Sequence, residues 1–369
     1  MVTSRDVARI PLTDALACGP EPWDRLVGRS PSPSPFMRWA WHQAWIESAP
    51  PDEVRSAFAL AVHGPGGSIE ALIPLALQPL RFRRARAAAL VWPIGDVGCP
   101  DHLDAPAGAG VALDAAIPLI EELPWDVMVL RHVAEDATGV ARLCEALGRR
   151  GHAVRRTPVD SCPYLDLPAD WDAYLASLSP VRRQTIRRKE RALGKAHVVS
   201  VADYAPNSLD EGWCRLRSLH DRRWGNGGVL ADPRLDQLLR RFTSELAGRG
   251  ELWLTTLDVD GESVAAWYGF TWNDTVYFYQ GGRDPQWESE SVGLVLMAAM
   301  IRRAIERGYR RFDFLRGQEA YKLSWTSTWR QNYEVAVFRS SWRGALLRGL
   351  DGLGRARERR LLQKIRVAP

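Results

Sequence analysis

The chain has 369 residues, 46% of them apolar, which suits two domains of ordinary size with proper cores. Its net charge is +5, yet eight Arg or Lys follow Ser341 against only Asp351 and Glu358, so the body is near neutral and the tail is basic. No apolar run reaches the roughly 18 residues of a membrane span, and the start lacks a cationic, then apolar leader, so a cytoplasmic protein is expected.

Five scattered cysteines (Cys18, Cys99, Cys144, Cys162, Cys214) never fall in CxxC spacing, and the seven histidines show no paired metal spacing. Reduced thiols and no metal are the expectation.

In chain order, residues 7–10 predict an entry strand, followed by a short helix and a proline-rich surface linker at 30–35. Residues 36–48 carry Phe36, Trp39, Trp41 and Trp45, with the last two at helical spacing, and predict a core-facing aromatic helix. Strands at 57–62 and 68–77 form a hairpin across the turn Gly64, Pro65, Gly66 and Gly67. Arg81, Arg83, Arg84 and Arg86 make a basic patch before a strand at 88–92. The loop 95–104 gathers Asp96, Asp101, His102 and Asp104. Turn chemistry explains it. A helix at 111–123, a strand at 127–131 and a helix at 140–150 complete a first α/β unit.

A strand at 164–167 and a helix at 171–178 open the second half. After Pro180, residues 181–193 place six cations on a helix whose apolar positions are Leu178, Ile186 and Leu193. The basic faces suit solvent or phosphate. No aromatic residue interleaves with them, which disfavours single-stranded RNA. A strand at 198–201 and a helix at 209–223 lead into the glycine-rich loop 224–228. The Asp260-Gly261 pair then predicts a hairpin between strands 251–257 and 263–270, with a third strand at 275–280.

Residues 289–325 organise the rest. Leu294, Met297, Ala298, Ile301 and Ile305 repeat at helical spacing, with Arg302, Arg303 and Arg307 near the negative end and Gly308 at the stop. The amides opening this helix, with Gly293 in its first turn, suit a diphosphate. A short strand at 311–315 follows, broken at Arg316-Gly317. A second short helix carries Glu319, Tyr321 and Lys322. Residues 330–339 give a closing strand, and the tail reads as a basic amphipathic helix bent near Gly352 and Gly354. Packing on the body or on another subunit, or contact with an anionic membrane, an acidic carrier protein or tRNA, would each suit that tail.

Phe312-Asp313-Phe314-Leu315-Arg316-Gly317 and Glu319-Ala320-Tyr321-Lys322, followed by Trp325, resemble the C-terminal half of the GNAT acyltransferase superfamily. More narrowly they resemble the CelD-like acetyltransferases, relatives of the Fem-type peptidyl transferases. Phe36-Met37-Arg38-Trp39, the basic run after Leu178-Ser179-Pro180, and Leu219-His220-Asp221-Arg222-Arg223-Trp224 extend the resemblance over most of residues 30–340.

It implies an α/β (α+β) fold of two tandem GNAT-like lobes, each a mixed, mostly antiparallel sheet flanked by helices. The expected domains are residues 1–160, without a phosphate turn; 161–340, with the acyl-donor site; and the tail, 341–369. The resemblance also implies two parallel strands that splay around an acyl-pantetheine arm, and substrate contact by the loop 95–104. Tyr279, Gly281, Ser291, Val292, Gly293, Leu294 and Arg316 are then the donor-binding candidates, with backbone amides near 279–282 facing the oxyanion.

Tyr321 is the candidate general acid, and Lys322 an anion or oxyanion holder. Glu319 lies in the same proton-transfer cluster. Asp313 is either a buried base of raised pKa or an ion pair with Arg316. The implied reaction moves an acyl group from acyl-CoA (acetyl or longer), or from an acyl carrier protein, to a small-molecule or peptide amine. Aminoacyl-tRNA-dependent transfer and a non-catalytic acyl-CoA-binding module are the alternatives.

Overall fold

The computed structural model describes residues 6–31, 33–64, 67–82, 85–95, 97–108, 111, 113–225 and 228–367, with side chains described to residue 355. Pro65, Gly66, Arg83, Arg84, Asp96, Asn226, Gly227 and the tail side chains beyond Arg355 lie outside the described residues.

The chain opens with β1 (Asp6–Pro11), α1 (Leu12–Leu16), α2 (Pro20–Val27), α3 (Trp39–Ser48) and α4 (Pro51–Ser56). Then come β2 (Ala57–His63), β3 (Ile69–Phe82), β4 (Ala85–Val91), α5 (Ile117–Glu122), β5 (Val127–Ala134) and α6 (Thr138–Arg149). The middle runs through β6 (Ala153–Asp166), α7 (Trp171–Ser177), α8 (Pro180–Ala196), β7 (Val199–Asp203), α9 (Leu209–Trp224) and α10 (Pro233–Gly248). After these follow β8 (Leu252–Val259), β9 (Glu262–Trp272), β10 (Thr275–Arg283), α11 (Val292–Glu306), β11 (Arg311–Asp313) and α12 (Ala320–Leu323). The chain closes with β12 (Trp329–Phe338) and α13 (Trp342–Val367).

These elements form two compact units, residues 1–159 with 331–369, and residues 160–330. In the first, the strand order is β1-β2-β3-β4-β5-β12, antiparallel except for β4 beside β5. In the second, it is β6-β11-β10-β9-β8-β7, antiparallel except for β10 beside β11. The expected mixed, mostly antiparallel sheet is therefore present twice.

The expected boundary at residue 340 falls instead at Arg330–Gln331. Residues 332–338 pair with β5 at Asn332↔Ala134 and Phe338↔Val127, so the closing strand belongs to the first unit.

The loop before α5 is buried structure. Leu103 bridges Val133 in parallel, its N–H donating to the His132 carbonyl at 2.8 Å. Asp104 caps α6, accepting from Val140 N at 2.7 Å and Gly139 N at 3.1 Å. Asp101 accepts from Asn332 Nδ2 at 2.7 Å, and His102 Nδ1 lies 3.0 Å from Asn332 Oδ1. Asp101, His102 and Asp104 are all buried and spend hydrogen bonds on the first unit. Ser30, Ser34 and Pro35 of the proline-rich segment are buried too, with Ser34 Oγ donating to the Asp101 carbonyl at 2.7 Å. That segment is a packed strap, where a surface linker was expected.

Among the described residues, no helix is long and apolar enough to cross a membrane. The tail is one helix, continuous through Gly352 and Gly354 where a bend was expected. Leu347 packs with Phe82 and Phe338, and Asp351 pairs with Arg155 at 2.7 Å and Arg355 at 3.0 Å. On the same helix Trp342 is 76% exposed and Leu353 71%.

In the second unit, α8 starts as its sequence dictates. Ser179 caps it, accepting from Arg182 N at 3.2 Å, and Pro180 fills the first turn. Only Ile186 and Leu193 are buried along it. They join Trp267, Phe312, Trp325 and the apolar face of α11 in the core.

Candidate active site

Strands β10 and β11 pair only over Thr275–Tyr277 and Arg311–Asp313. There β11 stops, while β10 continues to Arg283. Leu315 (φ +56°) and Gly317 (φ +117°) turn the chain aside, and Asp313 Oδ1 holds the turn by accepting from Leu315 N at 2.8 Å. On the other flank, the register of β10 against β9 shifts between Phe278 and Gln280, a bulge at Tyr279. The two strands part, and the gap holds a cavity of about 440 Å³.

Its walls come from Ala265, Ala266 and Trp267 of β9 and from Phe278, Gly281, Gly282 and Arg283 of β10. The α11 side supplies Ser291, Gly293, Leu294, Leu296 and Met297; Ala320, Tyr321, Ser324 and Trp325 stand opposite in the sequence, and Arg182, Arg223 and Glu288 complete the lining. Glycine is required where α9 crosses β10. A Cβ on Gly282 would lie 2.4 Å from His220 N, inside any real contact. At Gly281 a Cβ would meet the Ala266 carbonyl at 3.0 Å and Phe278 at 3.3 Å.

The opening of α11 is a donor site. Ser291 adopts φ +59°, and the Leu294 and Val295 amides turn back to its carbonyl at 2.9 and 3.1 Å. The amides of Val292 and Gly293 have no acceptor among the described residues, so the first turn keeps the unpaired N–H groups and positive potential of a helix start.

Tyr321 lines the cavity, and its hydroxyl has no hydrogen-bond partner among the described residues. Burial first, then the nearby Glu319 charge, push its pKa above the usual 10, with Arg223 opposing. The phenol is therefore a protonated donor at neutral pH. Trp267 is buried and stacks on Phe278 at 5.5 Å, and its Nε1–H has no partner.

The cavity brings together Tyr321, Gly281, Ser291, Gly293 and Leu294 of the expected site residues. It leaves Asp313, Glu319, Lys322, Tyr279, Val292 and Arg316 outside its lining. Asp313, read from the sequence as either a buried base or a partner of Arg316, is 0% exposed, and Arg330 Nη2 meets its carboxylate at 2.6 Å. Burial works against the Arg330 charge, but Asp313 and Tyr277 outweigh it and raise its pKa. Lys322 is buried, donating to the Arg316 carbonyl and pairing with Glu319 at 3.2 Å. That bond ties down the 316–319 turn and directs Lys322 away from an anion in the cavity. Tyr279 occupies the bulge, and the Val292 side chain sits in the core.

Arg182, Trp267 and Phe278 were not foreseen as lining residues, and Arg223 and Trp325 stood out only as part of the resemblance. Nothing in their spacing marks Arg182 from the other cations of its run. Their common position appears only when α8, α9 and β9 meet.

Residues 181–323, which include most of this cavity's lining, match the family model described as an acetyltransferase (GNAT) domain. A comparison with curated proteins returns no match. Among solved structures the chain is similar to FemX, with 12% identity, 85% of this chain and 94% of that one covered, and a TM-score of 0.55. A conserved protein of unknown function from Bacteroides thetaiotaomicron gives 16% identity, 88% and 97% coverage, and 0.54. L-PGS from Bacillus licheniformis gives 12% identity, 90% and 93% coverage, and 0.53. These likenesses speak to the fold.

Proposed function

We propose that the second unit transfers an acyl group from acyl-CoA, acetyl or longer, or from the same arm on an acyl carrier protein, to an amine. The observation that carries this is one cavity lined both by the opening of α11 and by Tyr321. The free Val292 and Gly293 amides suit the donor's diphosphate. Gly281 and Gly282 line the same cavity along β10, where an extended arm would run.

In the reaction the amine nitrogen bonds to the thioester carbonyl carbon and the C–S bond breaks. The nitrogen loses a proton and the sulfur gains one. The protein's part begins with holding the donor still. Backbone amides of β10 at Gly281 and Gly282, which line the cavity, are the candidates to meet the charge that builds on the carbonyl oxygen. Tyr321 O–H donates toward the departing sulfur. With its pKa raised, it stabilises that sulfur by a hydrogen bond more readily than by full proton transfer.

Calorimetry with acetyl-CoA and longer acyl-CoAs, before and after RNase treatment, tests the donor. Saturable binding indifferent to RNase supports the proposal; binding lost with RNase would put an RNA-borne donor in its place. Tyr321→Phe should slow transfer about 100-fold with CoA affinity nearly intact. Unchanged turnover would remove Tyr321 from the mechanism.

A further inference from the structure

Three arginines line the cavity, and they are not equivalent. Arg283 is neutralised by Glu288, the one acidic residue in the lining. Among the described residues neither Arg182 nor Arg223 has a carboxylate at ion-pair distance, and only the more distant Glu319 charge acts on Arg223. The Arg182 guanidinium lies over the Trp325 ring at 4.3 Å, and that of Arg223 between the Trp224 ring at 4.5 Å and the Tyr321 ring at 5.6 Å. Arg182 Nε is buried with no acceptor among the described residues. Nearby cations on the same helices are paired: Arg187 with Asp172 at 3.4 Å, and Arg222 with Asp284 at 2.6 Å.

Half-buried guanidinium groups without counter-ions are costly, and the Arg283 charge adds to the cost at Arg223. Burial pulls the pKa of both down from the ordinary value. Stacking on an aromatic face holds each planar fork in place and leaves its N–H edges free for a bidentate anion.

From this we infer that Arg182 and Arg223 form an anion clamp, and that the acyl acceptor is an amine carrying a carboxylate or a phosphate. The inference rests on the donor reading above, which assigns the donor's diphosphate to the α11 amides. Both clamp residues stand on rings at 321–325, where transfer is proposed, so the anion they take belongs to the acceptor. A neutral amine would leave both charges unmatched.

The test titrates glutarate and inorganic phosphate, separately, into the full chain saturated with CoA. At least one should bind, and Arg182→Gln and Arg223→Gln should each weaken that binding tenfold or more, with CoA affinity held within twofold. Arg187→Gln, on an exposed face of the same helix as Arg182, should change neither. Glutarate alone binding points to a carboxylate acceptor, and phosphate alone to a phosphorylated one. CoA binding without anion binding overturns this inference only, as does a tenfold loss of CoA affinity in either clamp variant, which would give the arginines to the donor. A chain that binds no CoA overturns the donor reading and this inference together.

Discussion

The two units share a strand pattern and differ in what fills it. Each has one parallel pair, β4 with β5 and β10 with β11, set among antiparallel neighbours. Beyond Val91 in the first unit, Leu103 lies along β5, and Phe36, Trp41, His42, Trp92 and Pro93 close in until only about 20 Å³ remains. Beyond Tyr277 in the second unit, the corresponding notch stays open at about 440 Å³. The connections differ in the same sense. The last helix between the paired strands is the six-residue α5 in one unit and the fifteen-residue α11 in the other. A parting of two parallel strands is thus a place for a site but not a site in itself. Indole rings and a capped aspartate convert one copy into core. In the other copy a long helix begins at the notch, which stays open.

Three experiments act on this contrast. The largest effect is expected beneath the open notch. Asp313→Asn leaves the Arg330 charge buried without its partner and should cost about 3–5 kcal/mol in denaturant unfolding. A variant of native stability whose transfer is slow would instead restore Asp313 as a base.

Next comes acid sensitivity of the closed notch. Burial lowers the His42 pKa from 6.5 to about 4, against a hydrogen bond to the Arg38 carbonyl and the Asp24 charge. Below pH 6.5 the unfolded chain takes up a proton that folded His42 refuses. The contribution is therefore complete above that pH and is lost as pH falls toward 4, by about 3 kcal/mol. Urea melts across this range should show the slope, and His42→Gln should flatten it. An equal slope in the variant would mean that His42 is not in a dry interior.

The smallest effect is expected where the open notch is narrowed. Gly281→Val should weaken CoA binding about tenfold, roughly 1.4 kcal/mol. Unaltered affinity would mean the donor does not run beside β10.

Much of the second unit was legible because its signals are local. The apolar spacing of α11, the Gly308 stop, the Asp260-Gly261 turn and the pair Ile186 and Leu193 on α8 each depend on a few neighbouring residues, whose periodicity is set by backbone geometry. Helix α10 carried a comparable signal, Asp232 capping and Pro233 in the first turn, that sequence reasoning passed over. Other features had no local trace. Asp313 found a counter-ion in Arg330, seventeen residues on. Residues 331–338 left the second unit to pair with β5. The acids of loop 95–104 went inward because Asn332 and the start of α6 met them there.

Residue order by itself determined the helices, the turns and the amides that open α11. Only the tertiary structure decided which notch would be filled, which carboxylate would be spent on an ion pair, and which two arginines would be left without one. Propensity and periodicity act between near neighbours, whereas cavities and counter-ions depend on groups that folding brings together from distant parts of the chain.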